Sequence, residues 1–320
     1  MNQLSLFRDE KEPPTDDSLW TDDGLPAGVP DEPVHIRRRK LEGTFEPEPK
    51  PGPKFVAFDL EIAQPFEMGR PYGISCAATM TYDGPSILWY GAEKAPGATL
   101  PERMNPQEVQ EMTGYLLEMQ SQGYTVVTFN GAGFDLDVLA EECYNEHWKQ
   151  DVARLTMEHI DIAFEMHCQM GYMTGLAKLS EGLGVGGKTE GMHGDLAPIV
   201  WSGWPADWSD DLDENATRMR AEIEALGVEV GTREAQDLCL EYVGQDAKLT
   251  ADVYTALLEQ GHVYWTTQRG TRSRYPWRPE QKDGRLLTVN ESLLLPEPDT
   301  SWMSKPRLRS DVLAWMEAVK

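Results

Sequence analysis

The run FVAFDLEIA (55–63) constrains this chain more than any other stretch. It has the length and apolar content of a buried β-strand, yet it carries two acids, Asp59 and Glu61. Residues two apart on a strand share a face, so both carboxylates project together. Placing two like charges side by side in apolar surroundings costs several kcal/mol unless positive charge offsets them. Divalent cations, which prefer oxygen ligands, meet that need well. Acid pairs of this form are common in strands, so the rest of the chain has to support the idea.

The neighbouring segments place this strand in a mixed sheet. GISCAATM (73–80) and ILWYGA (87–92) are also of strand length and are separated by the turn signal YDGPS. The three runs read as adjacent antiparallel strands. NPQEVQEMTGYLLEMQSQG (105–123) has helical apolar spacing and stops at Gly123. TVVTFN (125–130) reads as a strand buried on both faces. A glycine loop follows, leading into FDLDVLAEECYNE, read as one amphipathic helix. LAKLSEGLG (176–184) is a short helix, 202–236 is acidic and Trp-rich before turning helical, and 235–261 is a long helix closed by Gly261. Strands first, then β–α alternation, then a long helix, indicate an α/β fold with helices on the faces of the sheet.

Three regions follow from this: an acidic, Pro-rich tail expected to be disordered (1–53), a folded domain (54–261), and a basic, aromatic extension (262–320). In the extension, arginines alternate with Trp265, Tyr275 and Trp277; they serve either to stack bases and meet phosphates or to pack on the core with the arginines in water. The tail block HIRRRK (35–40) is either a solvated patch or a nucleic-acid contact.

Charge narrows the function classes. Lys and Arg number 29 against 54 Asp and Glu, a net charge of −25, and residues 55–261 alone hold 11 basic and 35 acidic side chains. That balance excludes a protein that coats duplex DNA with a broad basic face. No apolar run is long enough to span a membrane, and acids and prolines stand where a signal peptide would be apolar. The four cysteines form no CxxC pair, so a reducing cytoplasm is the expected setting.

Two further acids complete a pattern. Asp135 follows the glycine loop in NGAGFDLDVL, where an Asp also serves as an ordinary helix N-terminal charge. Tyr242 and Asp246 in YVGQD are four apart on the long helix and so stack on one face. FDLEIA, NGAGFDLDVL and YVGQDAKLT, in this order, resemble the three motifs of the DEDD superfamily of 3′-to-5′ exonucleases. The likeness is to the tyrosine-bearing subclass, similar to the proofreading domains of family-B DNA polymerases, and it spans residues 54–261.

That resemblance implies an RNase H-like five-stranded sheet with three antiparallel strands first and parallel ones after. It implies hydrolysis of DNA phosphodiesters at single-stranded or frayed 3′ ends with two Mg²⁺ or Mn²⁺ ions held by Asp59, Glu61, Asp135 and Asp246, and Tyr242 orienting the attacking water. Asn130 and Phe134 match second-motif positions and serve either to touch the terminal nucleotide or as a strand-end hydrogen bond and a core ring. Leu60, and Lys188 in the GVGGKTEG loop as a phosphate contact, are the other candidate substrate residues. Nothing in the motifs reads a 2′-hydroxyl, so RNA is an alternative substrate, and a non-catalytic scaffold is the other class. Asp137, Asp161, Asp195 and Asp252 are read as surface, capping or supporting acids, and His147, His159, His167 and His193 lack metal-ligand spacing. Finally, Gln3, Leu4, Leu6 and Phe7 in QLSLF match the bacterial sliding-clamp-binding form. A clamp tether would supply effective concentration in place of a basic face.

Overall fold

β1, Phe55–Ile62, is buried along nearly its whole length, as an apolar run with a covered face on each side requires. A computed structural model gives the fold; it describes residues 53–319 except 83, 206–213, 267–269, 271 and 276–283. The tail, its pentapeptide, HIRRRK and Trp277 lie outside the described residues.

β2 (Ile74–Thr81) and β3 (Ser86–Tyr90) continue antiparallel from β1. β4 (Thr125–Thr128) and β5 (Ile160–Asp161) run parallel on its other side, giving the order β3-β2-β1-β4-β5. The mixed five-stranded sheet is therefore as expected. The helices between and after these strands are α1 (Pro106–Ser121), α2 (Asp135–Glu142), α3 (Glu146–Glu158), α4 (Ile162–Met170), α5 (Leu176–Leu183), α6 (Ala197–Ser202), α7 (Glu214–Leu226) and α8 (Arg233–Gln260). A hairpin of β6 (Val263–Thr266) and β7 (Arg272–Tyr275) follows, then the short α9 (Val289–Ser292) and α10 (Arg309–Val312).

Local chemistry sets these boundaries. Asn105 accepts from the amides of Gln107 and Glu108 while Glu108 returns a bond to the Asn105 amide, a capping box that starts α1. Thr232 caps α8, and Gly261 ends it in the left-handed region at φ 63°. The helix read over 134–146 stops at Glu142, and α3 begins only at the last residue of that segment. The chain turns extended at Cys143, and Asn145 starts α3 by accepting from the Trp148 amide at 3.0 Å. An internal Asn that can bond a following amide favours a new N-terminus over continued helix.

The two faces of β1 have different partners. Phe55 and Ala57 meet the C-terminal half of α8 through Val253, Tyr254 and Leu257; the Phe55 and Tyr254 rings are edge-on at 4.9 Å. Cys76 and Ala78 pair with Glu61 and Asp59 across the β1–β2 ladder. They join the N-terminal half of α8 around Tyr242, Val243 and Ala247, where small side chains let the helix come close. The opposite face packs toward α1, with Trp89 against Tyr115 at 5.2 Å. Asp59, Glu61, Tyr242 and Asp246 therefore share one layer, between β1 and α8.

The C-terminal segment is fastened to the same body. The Val289 amide donates to His159 O at 3.0 Å, and the Leu287 amide donates to Glu165, a buried carboxyl that burial pushes up to about 8. Of the aromatics weighed for base stacking, Trp265 is buried in the α8 cluster. Tyr264 lies beneath Arg272 and Arg274, at 4.3 and 5.6 Å from its ring centre. Among the described residues no helix is long and apolar enough to cross a membrane.

Candidate active site

β4 is shorter than β1, and this exposes the edge from which the site is built. The parallel ladder ends at the Ala57–Val127 pair, so the Leu60 amide has no strand partner on that side. Asp135 fills the gap, its Oδ1 accepting from the Leu60 amide at 3.0 Å. Asp135 thus reaches across to the amide between the two strand acids while also bonding its own amide at the start of α2. Leu60 contributes this amide and not its side chain, which is buried on the face away from Asp59 and Glu61. On the other edge a β-bulge falls between Glu61 and Ile62, and the Ser75 hydroxyl is bonded to both of their carbonyls at 3.1 and 3.2 Å. Bulges of this kind re-aim a strand side chain.

The loop that delivers Asp135 is held from below. Asp161 is buried and accepts from the amides of Asn130, Ala132 and Phe164 at 2.8, 2.8 and 3.1 Å. Asn130, the one described non-glycine with positive φ (70°), makes the turn out of β4. Gly131 is required beneath it, since a Cβ there would lie 2.4 Å from Thr128 Oγ1. Burial lowers the His159 pKa, so the neutral ring donates to Thr156 O and accepts from Thr128 at 3.0 Å. His159 and Asp161 thus serve the loop's architecture, which a three-amide acceptor on a two-residue strand leaves no trace of in the sequence.

Within the layer, Tyr242 and Asp246 are 2% and 3% exposed and Glu61 is 5% exposed, while Asp59 is half-buried. Burial first, then the mutual repulsion of these acids, raises the pKa of Asp59 and Glu61 well above the carboxylate range. Asp135 is pushed up to about 7, mainly by burial and against the pull of its two amide bonds. Asp246 is raised by burial and drawn down by Lys188, whose ammonium bonds its Oδ2 and lies 3.5 Å from the Tyr242 hydroxyl. Tyr242 is held protonated by burial and by Glu61, Asp246 and Asp59. Asp59, Asp246, Lys188 and Asn130 line an open cavity of about 410 Å³, completed by the Met173–Ala177 loop. Phe134 is half-buried, its ring 5.8 Å from Phe66, an exposed residue that had no signal in the sequence.

Whether these residues suit divalent cations can be judged from their atoms. Among the described residues no three His, Cys, Asp or Glu side chains are gathered as a metal site, and Lys188 supplies the positive charge instead. Yet Asp246 Oδ1 is buried with no hydrogen-bond partner, and the acids beside it are all oxygen donors whose ionisation is resisted by burial and by one another. An orphaned carboxylate oxygen in a like-charged cluster fits a hard cation.

The sheet order, the acid layer and the cavity define a protein of nuclease type. The chain belongs to the RNase H superfamily, whose family model matches residues 98–257, half of the chain. Membership implies a nucleic-acid substrate, and nucleases of this fold generally use divalent metal ions. The match begins after β3, so Asp59 and Glu61 rest on the fold alone. No curated protein matches the chain.

Proposed function

We propose that this protein is a metal-dependent exonuclease that removes nucleotides from DNA 3′ ends, recruited to the bacterial sliding clamp through Gln3, Leu4, Leu6 and Phe7. The observation that carries the reading is the mutual repulsion of Asp59, Glu61, Asp135 and Asp246 in one buried layer that also holds Tyr242, with Asp59 and Asp246 of that group lining the cavity. The four carboxylates would hold two Mg²⁺ or Mn²⁺ ions. Such ions lower the pKa of a bound water and offset charge on the departing 3′-oxygen.

The chain's own groups have distinct tasks. Tyr242 keeps its proton, so it orients a water by hydrogen bonding and does not act as a base. Lys188, now on Asp246, would hold a phosphate oxygen once cations take over that carboxylate. Asn130 lines the cavity where the terminal nucleotide would sit, and Phe134, whose ring meets that of the exposed Phe66, would contact the same nucleotide.

A 5′-labelled single strand incubated with Mg²⁺ or Mn²⁺ tests this reading. The expected product is a ladder shortening one nucleotide at a time from the 3′ end. Internal fragments, or no cleavage, would contradict it. Deleting residues 1–8 is expected to abolish clamp pull-down and leave turnover of short oligonucleotides unchanged; retained clamp binding would remove the tether from the account.

A further inference from the structure

The domain is short of available cations. With 11 basic side chains against 35 acidic ones in residues 55–261, those near the acids are largely neutralised. Arg70 pairs with Asp137 and Glu141, Arg103 with Glu142, and Lys188 with Asp246. A nucleic-acid strand entering this field needs positive charge from elsewhere.

The C-terminal segment places one such charge over the loop that precedes Asp135. Arg307 is exposed, and its Nη2 lies 3.3 Å from the point where a Cβ on Gly133 would stand. Asn130 Oδ1 lies 3.7 Å from that same point. Asn130 also lines the cavity holding Asp59 and Asp246, so the guanidinium lies over the loop that precedes Asp135, close to one of the residues lining that cavity. Nearby His167 has its pKa lowered by burial and then by Arg307 and Arg309, so it remains a neutral neighbour.

This segment is firmly seated. Val312 is buried and would meet a Cβ on Gly133 at 2.9 Å, and Trp315 Nε1 donates to Ala132 O at 2.8 Å. The same contacts fix where Arg307 emerges.

We propose that Arg307 binds a phosphate of the nucleic-acid strand as it enters the cavity. The C-terminal segment, which lies outside the matched family region, thereby completes the substrate site. A guanidinium suits the role because its planar fork can engage two phosphate oxygens at once. The inference rests on the nuclease reading of the same cavity.

The test uses the full chain with a labelled single-stranded oligonucleotide and Mg²⁺, comparing wild type with Arg307→Ala, Arg307→Lys and Arg307→Glu. Arg307→Ala should raise KM about tenfold, leave kcat within about twofold, and make the fall of log kcat/KM with log salt shallower by about 0.7. Lysine should restore the salt slope and glutamate should bind more weakly than alanine. Unchanged KM and salt slope in an active Arg307→Ala enzyme would overturn this inference alone. A wild type without turnover would overturn it together with the nuclease reading.

Discussion

Alanine at Asp59 or Asp246 is expected to lower phosphodiester hydrolysis about a thousandfold or more, and at Asp59, which has no cation bonded to it, to leave the metal-free protein folded and no less stable. Both halves follow from one feature. The acids repel one another in a layer between β1 and α8, and burial resists their ionisation. Removing one member relieves that penalty in the absence of cations but removes a ligand when cations are needed. Asp135→Ala should behave differently. Its carboxylate satisfies the Leu60 amide at an unpaired stretch of strand edge, so its loss costs about 1–3 kcal/mol of stability as well as activity. Steady-state turnover and thermal melts in chelator, run on the same preparations, separate the two effects. Hydrolysis within tenfold of wild type in Asp59→Ala would contradict the assignment.

Arg309→Ala should be the most destabilising change in the C-terminal segment, by about 3–5 kcal/mol. The guanidinium is 9% exposed and donates to the carbonyls of Cys168, Leu295 and Pro296 at 2.7–2.8 Å and to Leu293 O at 3.3 Å. These acceptors gather around one side chain, and truncation strands them together with a void. The cost should reach the site, because Val312 and Trp315 on the same segment support the loop at Ala132 and Gly133. A denaturant midpoint measures the stability and turnover at moderate temperature measures the coupling. A change under about 1 kcal/mol would mean that the segment is not held by this residue.

Periodicity served well where an element is long and its surroundings simple. The apolar runs of β1 to β4 and the glycine stops of α1 and α8 follow directly from side-chain pattern and turn chemistry. So do the shared face of Asp59 and Glu61 and that of Tyr242 and Asp246, since each depends on spacing within one element. What depends on contacts between distant segments was hidden. β5 has only two residues, too few for a period, and Asp161 could be read no further than surface, cap or support. The Asp135 bond to Leu60 needs a ladder that stops short, and the Lys188 contact with Asp246 needs the 184–191 loop folded over α8. In the extension, composition left base stacking and core packing equally open; burial of Trp265 answers for that residue, and Arg307 is distinguished only by the loop beneath it.

The most direct test of the account is a calorimetric titration of the full chain with Mn²⁺, beside Glu61→Gln and Asp246→Asn. The account predicts saturable binding by wild type at millimolar or lower concentration, together with a rise in melting temperature, and marked weakening of both in each variant. Wild-type protein that takes up no Mn²⁺, or variants that bind it as wild type does, would contradict the claim that these acids form one cation-dependent centre.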